Sequence, residues 1–246
     1  IILKDILPFI EKAKPIEREY EIRNFNRSIP VRLNYYISKY FGDEGLPPNT
    51  IKLTFRGIAG QSFGAFNHKG LTLILIGEAN DYAGKGMFGG RIIIKSLSKG
   101  MDVVVGNTVL YGAVGGEFYA SGMAGERFAV RNSGALAIVE GAGHHLSEYM
   151  TGGTVVVIGK TGYNIGAGMT GGQIYILDID DSCIKKINTS YVTISAISSH
   201  EEDRLYGLIE DHYRYTESLR AKEILDNFSL KVTHFKKVIP LITKGL

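Results

Sequence analysis

The chain has 246 residues, of which 44% are hydrophobic and 22% charged, proportions typical of a soluble protein with a sizeable core. Its net charge of +3 is small and dispersed, which argues against the basic face that nucleic-acid binding requires. The single cysteine, Cys183, excludes an internal disulfide and cannot by itself hold a zinc ion or an iron-sulfur cluster. A lone cysteine makes a reducing, cytoplasmic setting the expectation. Because no apolar stretch approaches the ~20 residues that cross a bilayer, we also expect no membrane contact.

Residues 1–47 are predicted to form an N-terminal helical segment. The first helix has its apolar residues on one face and breaks near Pro15. A second helix is expected to begin at Ser28, which can cap it while Pro30 fits the first turn.

Residues 48–197 contain a repeat of short runs of Val and Ile. The residues that precede these runs are 50, 70, 90, 116, 134, 153, 172 and 191. A nearly constant step of about 20 residues predicts a parallel β-helix, because each strand can then stack on its equivalent in the preceding coil. The predicted fold class is mainly β, a single-stranded β-helix with α-helical segments at both ends.

Glycine is concentrated at the corners of these predicted coils, where 22 of the 31 glycines lie between positions 84 and 172. A positive φ and a close approach of stacked coils both favour a residue without a Cβ atom. One longer step, of 26 residues, predicts an outward loop at residues 99–102, where we expect a partner contact. The structural turns are predicted at Gly89, Gly90, Gly115, Gly116, Gly134, Gly152, Gly153, Gly171 and Gly172.

Residues 198–246 return to a helical pattern and are predicted to form a C-terminal helical cap. Apolar residues recur at helical spacing in three groups, near Leu205, Ile224 and Val238. An open β-helix exposes unpaired strand edges at its ends. We therefore expect the terminal helices to cover those ends.

Seven glycine-rich or aromatic blocks follow one another in a distinctive order between residues 22 and 240. They are GQSFGAF at 60–66, GEANDYAGKG at 77–86, GNTVLYGAVGG at 106–116, AGERFAVRNSG at 124–134, EYMTGG at 148–153, HYRYT at 212–216 and RAKEIL at 220–225. In this order they resemble the C-terminal GXGXG domain of the glutamate synthase large subunit, here as a stand-alone chain.

The resemblance implies a right-handed β-helix that is a non-catalytic scaffold subunit of glutamate synthase. That oxidoreductase acts on CH-NH2 donors and makes two glutamates from glutamine and 2-oxoglutarate, in nitrogen metabolism. The resemblance also implies that FMN and an iron-sulfur cluster belong to partner chains, a glutaminase and an FMN-binding synthase, and that this chain holds no cofactor. The nucleophilic cysteine that begins the glutaminase is Ile1 here, so no catalytic activity is expected of the chain alone.

Other functions remain open. The blocks also resemble a subunit of formylmethanofuran dehydrogenase, although residues 212–216 favour glutamate synthase. Parallel β-helices can carry polysaccharide-cleaving sites, but carboxylates are few among the glycine-rich coils and are not obviously paired. Whether the chain forms a homo-oligomer is also open.

A ligand- or metal-binding module is a further alternative. His144, His145 and Glu148, with Glu140 nearby, are candidate metal ligands, although their spacing matches no usual zinc motif. The resembling family has an Asp-His pair and a following cysteine at this point. This chain has His144 and Ser147 there, so a thiol role is not expected.

The remaining polar motifs are expected to have structural roles. Lys85 lies in a glycine-rich segment, but a strand and not a capped helix is predicted to follow, which argues against a phosphate loop. Residues 61–63, 80–82 and 126–128 are expected to satisfy backbone groups at the corners, although Arg127 and neighbouring arginines could present an interaction face. His212 is expected to pack against its neighbours.

Overall fold

The structure is a computed structural model that describes residues 1–97 and 102–241. It confirms a mainly β chain folded as a parallel β-solenoid of about six turns, flanked by helices. The loop predicted at residues 99–102 lies outside the described residues except for Asp102. No helix in the described ranges is long and apolar enough to cross a membrane.

The helices and strands follow one another in an order that places most strands in the middle of the chain. The α-helices are α1 Ile2–Glu11, α2 Val31–Phe41, α3 Ser199–Thr216, α4 Leu219–Asp226 and α5 Phe228–Lys231. The strands are β1 Ile16–Ile22, β2 Ile51–Ala59, β3 Leu71–Ala79, β4 Arg91–Lys95, β5 Val103–Val105, β6 Glu117–Ala124, β7 Ser133–Ala142, β8 Thr151–Val157, β9 Gly171–Leu177, β10 Val192–Ser195 and β11 Phe235–Pro240.

The main sheet stacks equivalent strands of successive coils. Strands β1, β2, β3, β4, β6, β7, β8 and β9 pair in that order, and every pair is parallel. The register aligns apolar residues into inward-facing rows, and their burial away from water supplies most of the stabilisation. One such row runs through Leu53, Leu73, Ile92, Phe118, Ala137, Val155 and Ile174.

The prediction for the N-terminal segment is partly wrong, because residues 16–22 form a strand. Strand β1 pairs in parallel with β2 and extends the main sheet by one strand. Helix α2 begins at Val31 and not at Ser28, and no side chain caps it. The backbone N–H of Ser28 instead donates a hydrogen bond to the carbonyl of Gln61 in the neighbouring turn.

The N-terminal helices cover the first coil. Ile6 and Ile10 of α1, together with Leu33 and Ile37 of α2, are almost fully buried in the same core as Ile51. This arrangement matches the expectation that helices cover an end of the β-helix, where the core would otherwise be open to water.

The C-terminal helices lie along the outer flank of the main sheet and do not cover its other end. Successive residues of a strand point to opposite faces, so the neighbours of the inward row form an outward apolar row. That row packs against Leu205 and Ile209 of α3 and Ile224 of α4. It consists of Ile93, Tyr119, Ile138, Val156 and Tyr175.

The prediction of a last helix near Val238 is wrong, because these residues form β11. This strand pairs antiparallel with β9 and with β10, so β9 is not left as an open edge. The unpaired backbone groups of β9 offer partners that an isolated helix lacks, and tertiary pairing overrides the local helical pattern.

Candidate functional surface

Six turn segments stack on one side of the solenoid, each following the strand of its coil. Every second residue in these segments has a positive φ, whether or not it is glycine. Tyr149 at +55° and Arg131 at +54° are examples in which a bulky side chain adopts this left-handed conformation. Since such a conformation is normally unfavourable, stacking of the coils must stabilise it. The segments are residues 61–66, 81–86, 107–112, 126–131, 144–149 and 163–168.

Backbone hydrogen bonds join each turn segment to the segments on both sides. The N–H of Tyr82 donates to the carbonyl of Asn107 in the next coil at 2.9 Å, and the N–H of Gly84 donates to Phe63 in the preceding coil at 2.8 Å. The same alternation recurs along the stack. The turn segments therefore form a continuous hydrogen-bonded layer, and this layer fixes the backbone position from which each side chain projects.

Side chains from three of the turn segments complete this layer. Asp81 Oδ1 accepts a hydrogen bond from the backbone N–H of Asn107 at 2.8 Å, and Asn107 Oδ1 accepts one from the backbone N–H of Glu126 at 2.8 Å. His144 Nδ1 accepts a hydrogen bond from the backbone N–H of Tyr163 at 2.9 Å. These groups satisfy backbone donors at the corners of the coils, which is the role that the sequence predicts for residues 80–82.

The outward side chains of the turn segments form an exposed surface, called here the lateral strip. Lys85 lies on it between two rings, with its Nζ 5.6 Å from the centroid of Tyr82 and 5.8 Å from that of Tyr111. Strand β4 and not a helix follows Lys85, so the phosphate-loop geometry is absent at this position. The strip comprises Tyr82, Lys85, Arg127, Arg131, Tyr149 and Tyr163.

The candidate metal ligands are engaged in other contacts. The His144 ring stacks on Tyr163, with centroids 5.7 Å apart. His145 Nδ1 lies 3.0 Å from Asn164 Nδ2 and 3.9 Å from a Glu148 oxygen. Across residues 1–97 and 102–241, no group of three or more His, Cys, Asp or Glu residues is arranged to hold a metal ion.

Glu140 is separated from those histidines and contacts the C-terminal helices instead. Its Oε1 accepts a hydrogen bond from Ser218, and Ser218 also accepts one from the N–H of Ala221 at 3.0 Å. His212 is fully buried beside them, with Nε2 3.8 Å from Glu140 and its ring stacked on Tyr119. Burial raises the pKa of the Tyr119 phenol above its ordinary value. This cluster holds α3 and α4 on the flank, and His212 packs as expected.

The glycine doublets lie where consecutive coils approach most closely. Their second residues, at positions 90, 116, 153 and 172, have φ between +69° and +92°. A Cβ atom on Gly134 would lie 2.3 Å from the carbonyl oxygen of Val114 in the preceding coil, and one on Gly171 would lie 2.1 Å from that of Thr151. The predicted glycines therefore combine left-handed backbone with contacts that leave no space for a side chain.

Cys183 is buried below the last coils and is 1% exposed. Burial raises the pKa of its thiol, and the adjacent Asp178 carboxylate adds to that effect. The backbone N–H of Cys183 donates to both oxygens of Asp178 at 3.1 Å. The residue is part of the core, and the effect of burial on its pKa outweighs the opposing effect of the nearby Lys236 and Lys186.

Comparison with known proteins identifies one family over nearly the whole chain. The family model described as GXGXG motif matches residues 1–241. The chain is 46% identical over 245 residues to the glutamate synthase [NADPH] large chain of Azospirillum brasilense, covering 97% of this chain and 16% of that protein. It is 47% identical to the glutamate synthase [NADH] of Schizosaccharomyces pombe, covering 94% and 11% respectively. It is also 47% identical to the ferredoxin-dependent glutamate synthase 2 of Synechocystis, covering 96% and 16%. The chain thus spans at most about one sixth of these relatives.

Proposed function

The chain belongs to the GXGXG motif family, and on that premise we propose that it is the structural module of a glutamate synthase. In this role it holds the glutaminase and the FMN-binding synthase parts together, so that ammonia passes from one to the other. The chain is not itself catalytic, and FMN and the iron-sulfur cluster belong to the synthase part.

The observation that carries the proposal is the even similarity to enzymes with different electron donors. Identity is 46% to an enzyme named for NADPH and 47% to enzymes named for NADH and for ferredoxin. A segment that bound the electron donor would be expected to diverge with it, because specificity depends on the groups that contact each donor. The even similarity supports a role that all three kinds of glutamate synthase share.

The architecture supports a mechanical role as well. Hydrogen bonds between coils run through both the main sheet and the turn segments, so displacement of one coil must break bonds to both neighbours. The backbone positions of the lateral strip residues are therefore held at fixed spacing. A rigid surface loses little conformational entropy when it binds, which favours docking of large partners.

The lateral strip is the proposed docking surface. Tyr149 is 54% exposed and Tyr163 is 61% exposed, and arginines lie beside them on the strip. Tyrosine and arginine are enriched in protein interfaces, where they supply most of the binding energy.

The experiment mixes the chain with separately purified glutaminase and FMN-binding synthase parts and measures complex formation by light scattering after gel filtration. We expect one stable complex that contains all parts. Tyr149→Ala should weaken it at least about tenfold, as expected for an interface hot spot. Tyr191→Ala is the matched control, because Tyr191 is 49% exposed but lies outside the strip, and it should change affinity less than about twofold.

The two parts of the proposal fail separately. If the wild-type chain forms no complex with either catalytic part, the scaffold function is wrong. If the complex forms but Tyr149→Ala and Tyr191→Ala bind equally well, the scaffold function stands and the lateral strip is not its docking surface.

A further inference from the structure

Strand β1 lies at one end of the main sheet, and only one of its two edges is paired. Its partner is β2. The N–H of Ile16 donates to the carbonyl of Thr50 at 2.9 Å, and in a parallel pair alternate residues of a strand bond to the same neighbour. The backbone groups of every second residue from Ile16 therefore face β2, and those of Glu17, Glu19 and Glu21 face the opposite edge.

The backbone groups at this outer edge of β1 are available for pairing. Helices α1 and α2 cover the core at this end of the solenoid, but within the described residues their backbones form no hydrogen bond with β1. Arg18 Nη1 donates to the carbonyl of Glu17 at 2.9 Å and occupies that one acceptor. The three glutamates of the edge are exposed. An exposed strand edge of this kind can template the addition of a further strand.

The other end of the sheet shows that this solenoid accepts a strand that is not one of its coils. There β11 pairs antiparallel with β9 and covers its edge. Within the described part of the chain, β1 has no such strand on its outer edge. The two ends of the sheet therefore differ, and only one of them is completed by the chain itself.

The outward side chains of β1 determine which charge an added strand should carry. On the paired side, Lys52 of β2 forms an ion pair with Glu17, and Arg56 forms one with Glu19. No lysine or arginine of the described residues forms an ion pair with Glu21. Opposite charges on neighbouring strands stabilise the pair, and like charges destabilise it. A strand with basic residues at alternate positions therefore fits this edge, whereas the glutamates disfavour pairing between two copies of the chain.

An apolar cavity of about 610 Å³ adjoins the same strand. Its lining includes Ile2 and Leu3 of α1, Tyr20 and Ile22 of β1, and Ile29. Tyr20 and Ile22 point to the inner face of the sheet, opposite to the glutamates. Every second side chain of an added strand would point to the same face as this cavity, where apolar groups are removed from water.

We propose that the outer edge of β1 binds an extended segment of a partner protein in which lysine or arginine alternates with apolar residues. The segment adds a strand to the main sheet, with its cations beside Glu17, Glu19 and Glu21 and its apolar side chains on the side of the cavity. Strand β2, which has Lys52 and Arg56 between apolar residues, presents a similar pattern to the paired edge. The outer edge does not include the lateral strip, so this proposal is independent of the scaffold role.

The test uses a synthetic peptide, Thr-Lys-Val-Lys-Val-Lys-Val-Thr with both ends blocked, and a control peptide with glutamate in place of each lysine. Each is titrated into the ¹⁵N-labelled chain while amide signals are followed by NMR. The lysine peptide is expected to shift the signals of Glu17, Glu19 and Glu21 in a saturable manner and to slow their exchange with solvent. The glutamate peptide should bind at least about tenfold more weakly, because its charges face like charges on β1.

Methylation of peptide nitrogens separates strand pairing from attraction between charges alone. One variant of the lysine peptide carries methyl groups on the backbone nitrogens of its lysines, and the other carries them on those of its valines. Only one set faces β1, namely the valine set in a parallel pair and the lysine set in an antiparallel pair. One variant should therefore bind at least about tenfold more weakly than the other, and its identity gives the direction of the added strand.

A pair of substitutions tests the charge of the edge. Glu21→Gln should weaken binding of the lysine peptide about two- to fivefold, the effect expected for an exposed ion pair. Glu210→Gln is the matched control, since Glu210 is an exposed glutamate on α3, outside the strand. It should leave binding within about 1.5-fold, because distant exposed charges are screened.

Several results would overturn the proposal. It is wrong if the lysine peptide causes no saturable shift at the three glutamates, if the glutamate peptide binds equally well, or if the two methylated peptides bind equally. Equal effects of Glu21→Gln and Glu210→Gln would also contradict it. If the same amide signals shift with the concentration of the chain alone, a second copy occupies the edge and the basic strand is not its partner.

Discussion

Replacing Gly77 by alanine should strongly destabilise the solenoid, because this glycine sets the distance between two coils. Gly77 in β3 pairs in register with Gly57 in β2. A Cβ atom on Gly77 would lie 1.9 Å from the carbonyl oxygen of Gly57, and the φ of Gly77 is +144°. Neither the backbone conformation nor the available space therefore accommodates a side chain.

The expected cost has two contributions. An alanine held in this sparsely populated backbone region costs about 1–3 kcal/mol. Displacing the neighbouring coil to relieve the contact costs about another 1–3 kcal/mol, as overpacking of a core does. The free energy of unfolding should therefore fall by roughly 2–6 kcal/mol, and each kcal/mol should lower the Tm by about 2–4 °C in a domain of this size.

Two further glycines provide matched controls for the same substitution. Gly112 has a φ of +64°, but a Cβ atom there would meet nothing within 4 Å, so Gly112→Ala should incur only the conformational cost of about 1–2 kcal/mol. Gly207 lies within α3 with open space around it, so Gly207→Ala should stabilise the chain by about 0.5–1 kcal/mol. Urea and thermal unfolding followed by circular dichroism rank the three variants. Equal stability of Gly77→Ala and Gly112→Ala would refute the argument that glycine sets the coil spacing.

Three further predictions concern the cap at Ser218, the burial of Cys183 and the interaction of Glu201 with Lys237. Ser218→Ala should cost about 2–4 kcal/mol, since it removes a helix cap and the hydrogen bond to the buried carboxylate of Glu140. The exposed cap variant Ser198→Ala should cost about 1 kcal/mol, and equal urea midpoints for the two variants would contradict this. Cys183 should not react with a thiol reagent until the chain unfolds, because burial raises the pKa of its thiol, and rapid labelling of the native protein would be the opposite result. The hydrogen bond from Lys237 lowers the pKa of Glu201 to about 2 from an ordinary 4.5, so its contribution to stability is present above about pH 4.5 and is lost as the pH falls towards 2. The difference in Tm between the wild type and Glu201→Gln should accordingly shrink over that range, and a constant difference would show that the carboxylate has no such role.

The solenoid can be predicted from sequence because its determinants are local and repeated. Each coil contributes an apolar run such as residues 92–94 or 155–157, and a glycine corner precedes it. Stacking requires the same features in every coil, so the period survives even where single copies are weak.

The two terminal strands cannot be predicted in the same way, because they lack that repeated signal. In β1 the sequence IEREYEI places glutamates on the outer face, and no glycine doublet precedes it. Lys52 and Arg56 of β2 pair with Glu17 and Glu19, so the charges that resemble a helical surface in fact form cross-strand ion pairs. Strand β11 is specified by the free edge of β9, which lies far away in the sequence.

The polar contacts and the turn conformations also depend on long-range folding. Glu140 and Ser218 are 78 residues apart, and no local pattern links them. Likewise, nothing in the side chains of Arg131 or Tyr149 predicts a positive φ, because the neighbouring turn segments impose it. These features arise only when the coils stack.

Transfer of the glutamine amide nitrogen tests the proposed function most directly. Glutamine labelled with ¹⁵N in its amide is supplied to the glutaminase and FMN-binding synthase parts, with and without this chain, and the label is followed into glutamate and into free ammonia. If the chain holds the parts together, nearly all of the label should enter glutamate when it is present, and free ammonia should accumulate when it is absent. Equal incorporation of the label in both cases would contradict the scaffold role.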